Sequence, residues 1–177
     1  AAGNRLQRLD VERIADAIAA FHRRAEPKPG SGGSAALAAI IEDNAKAFAE
    51  CAPGRLDQQR VLRLLQGQRA ALAACAGLLD ERSRQGFVLH CHGDLHLRNI
   101  VLPNGRPLLF DAIEFDPALA EIDVLYDLAF LVMDLRFRDL PVLASIALNR
   151  YLDWTGDAGG LKALPLFLSM RAAIRSH

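Results

Sequence analysis

His90 to Glu114 reads HCHGDLHLRNIVLPNGRPLLFDAIE, and the residue types in this stretch decide how the rest of the chain is read. An acid (Asp94), an amide (Asn99) and a second acid (Asp111) sit among apolar triplets: Phe87-Val88-Leu89 ahead of the stretch, Ile100-Val101-Leu102 and Leu108-Leu109-Phe110 within it. Short apolar runs bounded by turn residues read as buried strands. Pro103-Asn104-Gly105-Arg106-Pro107 joins the last two, and its Asn-Gly pair suits a hairpin turn. A loop, residues 92–99, therefore enters one side of a small hairpin and Asp111 leaves the other. Singly, each polar residue has a plain structural explanation: Asp94 caps a turn, Asn99 bonds its own loop, Asp111 opens a turn. Gathered at one end of one hairpin, they form a candidate site.

On either side of the stretch the pattern is helical. Val11, Ile14, Ala15, Ile18 and Phe21 recur at three- and four-residue steps after Asp10, a candidate N-cap, and predict a helix ending near Ala25. Residues 26–34, EPKPGSGGS, break it. No GK[ST] follows these glycines and no strand precedes them, so they read as a flexible loop and not a phosphate loop. Ser34 then caps a helix carrying Leu37, Ile40, Ile41 and Phe48. After Ala52-Pro53-Gly54 a long helix runs from about Asp57 to Arg84, and Ser83 to Gly86 closes it. Beyond the stretch, helices are expected over Ile122–Arg138, Pro141–Trp154 and Leu161–Ser176. Six helices with one hairpin, and no βαβ alternation, predict a mostly α member of the α+β class. The organisation is one domain, helical over 1–86, site-bearing over 87–115 and helical again over 116–177.

The bulk numbers remove several partners. With 21 Lys+Arg against 21 Asp+Glu there is no net field to favour nucleic acid. The longest apolar run, Leu125 to Met133, is interrupted by Asp127 and is short of a membrane span. Three cysteines without CxxC spacing fit a reducing, cytoplasmic setting.

His92, Asp94 and Asn99 match HxDLxxxN, with Asp111 following at the end of an apolar strand, a layout suited to phosphoryl transfer. That reaction asks the protein to orient an acceptor hydroxyl and to hold cations that neutralise phosphates. Asp94, on a loop, suits the role of base for the hydroxyl. Asn99 and Asp111 offer hard oxygen ligands for Mg²⁺. The run HGDLHLRN resembles the catalytic loop of the aminoglycoside phosphotransferase and choline kinase family, relatives of the protein kinases. The resemblance implies a kinase-like C-terminal lobe using ATP and Mg²⁺ on a small-molecule hydroxyl. It implies Asp94 and His92 as catalytic-loop residues, Asn99 and Asp111 as nucleotide-metal ligands, and Glu114 as a supplementary ligand. Asp127, in LYDLAFL, is similar to the family's structural aspartate. A carboxylate on an apolar helix face needs donors, and the loop's N–H groups are the nearest supply. No glycine follows Asp111, a departure from the protein-kinase DFG pattern. The run through Leu135 is most similar to the phosphotransferase-like domain of bacterial proteins that join it to a P-loop ATPase domain.

Such an enzyme also needs a nucleotide-covering lobe with a lysine on a strand. Lys28, Lys46 and Lys162 are the only lysines, none in a strand context. The chain therefore reads as a C-terminal lobe alone, a fragment of a longer protein or one served by another chain. Two other readings stand beside it. His90, His92, Asp94 and His96 form an HxHxDxH cluster fit for a metal-dependent hydrolase, and a kinase-like lobe can serve as a non-catalytic binding module. Glu114, Asp116, Glu121 and Asp123 would form an acidic rim suited to a cationic acceptor if they share a face.

Overall fold

The computed structural model describes residues 6–51 and 56–176. The break expected at Ala52-Pro53-Gly54 and the terminal His177 lie outside the described residues. Three helices come first: α1 (Arg8–Arg24), α2 (Gly33–Glu50) and α3 (Gln58–Arg84). Strands β1 (Val88–His90), β2 (Ile100–Val101) and β3 (Leu108–Leu109) follow, then a one-turn α4 (Pro117–Ala120) and β4 (Glu121–Asp123). The chain finishes with α5 (Val124–Phe137), α6 (Pro141–Thr155) and α7 (Leu164–Ser176). The six expected helices are present in a mostly helical α+β fold, but the strands differ from expectation. Besides the β2–β3 hairpin, with Ile100 opposite Leu109, β1 pairs antiparallel with β4, Val88 opposite Asp123.

The boundaries moved for identifiable reasons. Helix α1 begins before Asp10, whose carboxylate reaches back to accept from the Gln7 N–H at 2.9 Å, as the third residue of a capping box does. At α2 it is the Asp80 carboxylate, from α3, that accepts the Ser34 N–H at 2.8 Å, so the cap comes from a neighbouring helix. Asp57 caps α3, accepting from Gln59 and Arg60 N–H. Ile122 and Asp123, expected to open a helix, instead extend with Glu121 as a strand, and Asp123 accepts the Leu125 N–H at 2.8 Å and starts α5. The glycines near 160 form a 3₁₀ turn, Ala158–Ala163, which delays α7 to Leu164.

Helix α5 is the axis of the fold: every residue from Val124 to Leu135 is buried. It packs against α6 and α7, while α1 lies on α6 and α2 on α3. A helix apolar all round has to be enclosed on all sides, and its two acids, Asp127 and Asp134, have no exposure at all. Its position is set by Arg82 at the end of α3, whose buried guanidinium pairs with Asp123 (2.6 and 2.9 Å) and with Asp157 (2.6 and 2.7 Å). One planar fork thus ties α3, the β4–α5 junction and the 158–163 turn together. No helix among the described residues is long and apolar enough to cross a membrane.

Candidate active site

The loop between β1 and β2 is held from below by α5. Asp127 Oδ1 accepts from the Gly93 N–H at 2.9 Å and its Oδ2 from the His92 N–H at 3.2 Å. From the other side the His22 ring reaches Oδ2 at 3.0 Å. A carboxylate can only accept, so His22 Nε2 carries the proton, and Nδ1 meets the Tyr151 hydroxyl at 2.8 Å. Burial alone would raise the Asp127 pKa. The His22 hydrogen bond and charge, with Arg171 and His92 nearby, outweigh it and hold the carboxyl below its ordinary value.

Gly93 is required by both conformation and space. Its φ is +81°, and a Cβ there would lie 2.9 Å from the Leu119 carbonyl and 3.0 Å from Ile113 Cδ1. The chain can therefore pass under the 113–119 segment and turn Asp94 outward. Asp94 is partly exposed. Its Oδ2 accepts from the Asn99 amide at 2.9 Å, and the same Nδ2 donates to the Asp94 carbonyl at 3.0 Å. With Nδ2 so engaged, the Asn99 amide oxygen is the atom left to meet a cation. His96 accepts the Arg98 N–H on Nδ1 at 3.2 Å, so its proton is on Nε2, which faces Asp94 Oδ2 at 3.5 Å. Among the described residues Asp94 Oδ1 has no hydrogen-bond partner and remains open to an incoming group.

The hairpin delivers Asp111 to the same end. The Phe110 N–H donates to the Asn99 carbonyl at 3.1 Å, and the Ile113 N–H to the His92 carbonyl at 2.9 Å. Between these two ties Asp111 is exposed, with φ +61°. A non-glycine residue held in the left-handed region costs about 1–3 kcal/mol, and such residues cluster at functional sites. His92 contributes by holding: its buried Nε2–H donates to the Phe110 carbonyl at 2.9 Å, anchoring the residue before Asp111. Glu114 is exposed two residues past Ala112 and makes no hydrogen bond among the described residues.

Two expectations fail. The HxHxDxH cluster is not assembled: His90 is exposed on β1 opposite Glu121, His92 is committed to Phe110, and only Asp94 and His96 face each other. Strand alternation sends His90 outward while the loop turn buries His92. Among the described residues the one group close enough to share a metal is His22, Cys91 and Asp127, all buried. Burial pushes the Cys91 thiol well up, and it donates to the Ile122 carbonyl at 3.3 Å, so this cluster is hydrogen-bonded core. The acidic rim also dissolves. Asp116 caps α4, Glu121 accepts from Ser31, and Asp123 is buried against Arg82, leaving Glu114 alone.

Two residues escaped the sequence reading. His22 follows Ile14 and Ile18 on the core stripe of α1, and a histidine on a core face must find a partner. Asp134 stands two turns past Asp127 in the same apolar helix. Its Oδ2 accepts the Leu97 N–H at 3.1 Å.

The hairpin thus brings a loop carrying acid and amide together with a second acid, above a buried helix carboxylate. The sequence profile of the phosphotransferase enzyme family matches residues 2–164, and the chain belongs to that family. An uncharacterized protein of Mycobacterium bovis is 27% identical over 169 residues, 94% of this chain and 34% of the relative. An uncharacterized protein of Mycobacterium tuberculosis matches with the same identity and coverage. The chain thus spans about a third of the length of these relatives, 34%. No solved structure matches it at a significant level.

Proposed function

We propose that the chain is the C-terminal lobe of an ATP- and Mg²⁺-dependent phosphotransferase acting on a small-molecule hydroxyl. The observation that carries the reading is the Asn99–Asp94 hydrogen bond beside a strand end that returns Asp111 to the same loop. The donor set fits Mg²⁺, which takes few protein oxygens and keeps the rest of its shell for water and phosphate. Asn99 Oδ1 and the Asp111 carboxylate would hold it, with Glu114 within the same exposed segment as a supplementary ligand. When bound, Mg²⁺ and nucleotide supply charge neutralisation and the transferable phosphoryl group.

The chain's own groups do the rest. Asp94 Oδ1 accepts the hydrogen bond of the acceptor hydroxyl and takes its proton, while the Asn99 amide on Oδ2 fixes the carboxylate's angle. His92 and Asp127 keep the loop and the Asp111 strand end in register. The partner lobe that covers the nucleotide belongs to the remainder of the protein or to another chain. None of the described lysines lies on a strand: Lys28 pairs with Glu26, Lys46 with Asp43, and Lys162 is in the 3₁₀ turn. Free cysteines and a nucleotide substrate fit a cytoplasmic setting.

In the whole protein, Asp94→Asn is expected to cut turnover about 10²- to 10⁴-fold with little change in nucleotide affinity. Asp111→Ala is expected to weaken Mg·ATP binding instead. Residues 1–177 alone are expected to show negligible transfer. Normal turnover in both variants would overturn the assignment.

A further inference from the structure

Resting on that reading, we propose that Asp134 is a positioning residue for the base, and that α7 belongs to the catalytic apparatus through it. The loop 92–99 is fixed to α5 at two points, not one. Asp127 takes its first N–H groups, at His92 and Gly93, and Asp134 takes the Leu97 N–H near its other end. Seven residues separate the acids, two helical turns, so both project from one face. Asp94 is suspended between these anchors, and the Leu97–Asn99 turn that carries its partner Asn99 starts at the second one.

The second anchor is charged from outside the family-matched segment. The match ends at residue 164, where α7 begins, yet α7 supplies arginines to both acids. Arg175 lies 3.1 Å from Asp134 Oδ1 and Arg171 lies 3.9 Å from Asp127 Oδ1. Arg138 adds a donor to Asp134 Oδ2 at 3.1 Å. The Arg175 contact is an ion pair without hydrogen-bond alignment, since Asp134 Oδ1 has no hydrogen-bond partner among the described residues. Its effect is to set an opposite charge beside a fully buried carboxylate that is aimed at Leu97. Losing Arg175 would loosen the Asn99 end of the loop while leaving in place the Asp127 end, which the His22 ring also holds.

The test uses the whole protein with Mg·ATP, reading the ADP release that Asp94→Asn is expected to cut, together with amide exchange of peptides covering 92–99. Asp134→Ala is expected to speed exchange there about tenfold or more, with peptides from α2 and α3 unchanged. The kcat should fall about 10- to 100-fold while the KM for Mg·ATP stays within about twofold. Asp134→Asn, which keeps an oxygen for the Leu97 N–H, should recover most of the kcat, and Arg175→Met should fall between. Unchanged exchange at 92–99, loosening spread evenly through the lobe, or an Asn variant as impaired as the Ala variant would each overturn the proposal. If Asp134→Ala does not fold, the Asn and Met variants decide by the same criteria. Absence of Asp94-dependent ADP release in the unaltered protein would sink the phosphotransferase reading instead, and the exchange data would still judge the clamp.

Discussion

The two carboxylates of α5 and the two of the loop and hairpin are the same chemical group put to opposite uses. Asp127 and Asp134 have no exposure and are surrounded by donors; Asp94 and Asp111 face outward, each with oxygens left open. The buried pair costs desolvation and is tolerated because it satisfies backbone N–H groups that water cannot reach. The outer pair keeps its solvation and its capacity for ligands. Fixed acids beneath and open acids above amount to a rigid mount carrying a rim of unengaged oxygens.

That contrast predicts that the buried acids govern stability, and turnover only through the loop they hold, while the outer ones act on turnover directly. The largest effect belongs to Asp127→Ala, which strands the His22 ring and two loop N–H groups in the core. Breaking a buried, multiply bonded charge of this kind costs about 3–5 kcal/mol. Urea unfolding should show it, and a loss below about 1 kcal/mol would break the comparison. Gly93→Ala comes next, because the added methyl meets the Leu119 carbonyl at 2.9 Å in a positive-φ position. Overpacking plus strain is expected to cost about 1–3 kcal/mol, with turnover falling as the loop is pushed off Asp127.

The pH dependence follows the same division. The folded-state pKa of Asp127 lies below its unfolded value of about 3.9. In the window between the two, the unfolded chain binds the extra proton, so stability rises with pH. The contribution of Asp127 is therefore present above about pH 4 and is lost as pH falls through its folded pKa. Unfolding free energies at about pH 5 and pH 3 should fall less in Asp127→Asn than in the unaltered chain, since the amide has no proton to gain.

How much of this was readable in advance depends on the length scale of each signal. Long helices with a stripe were legible: Val11, Ile14, Ala15 and Ile18 are buried as their spacing required. The stripe ends on His22 and leaves Phe21 half-buried, a drift that a 3.6-residue repeat makes over three turns. The loop and hairpin were legible because acid, amide and turn residues occupy fixed offsets. Strand β4 was not, since three residues with one apolar side chain show no period, and two of them, Ile122 and Asp123, read as the start of the neighbouring helix. Asp134 was overlooked because its role depends on Leu97, thirty-odd residues away, a pairing that no local pattern encodes. The acidic rim failed for the same reason: Arg82 and Ser31, both distant in sequence, had already engaged its members.

The smallest predicted effect is the sharpest test of the division between mount and rim. Asp111 sits at φ +61° without a hydrogen bond among the described residues, so its conformation is imposed by the ties at Phe110 and Ile113. Glycine adopts that conformation freely, though it loses more entropy on folding. Asp111→Gly is therefore expected to leave stability unchanged or raise it by up to about 1 kcal/mol. Mg·ATP affinity should fall as it does for Asp111→Ala. A variant that folds at least as well while losing its metal would mark Asp111 as retained against local backbone preference, as residues at working sites are. A destabilised variant would place Asp111 among the structural acids with Asp127 and erase the distinction.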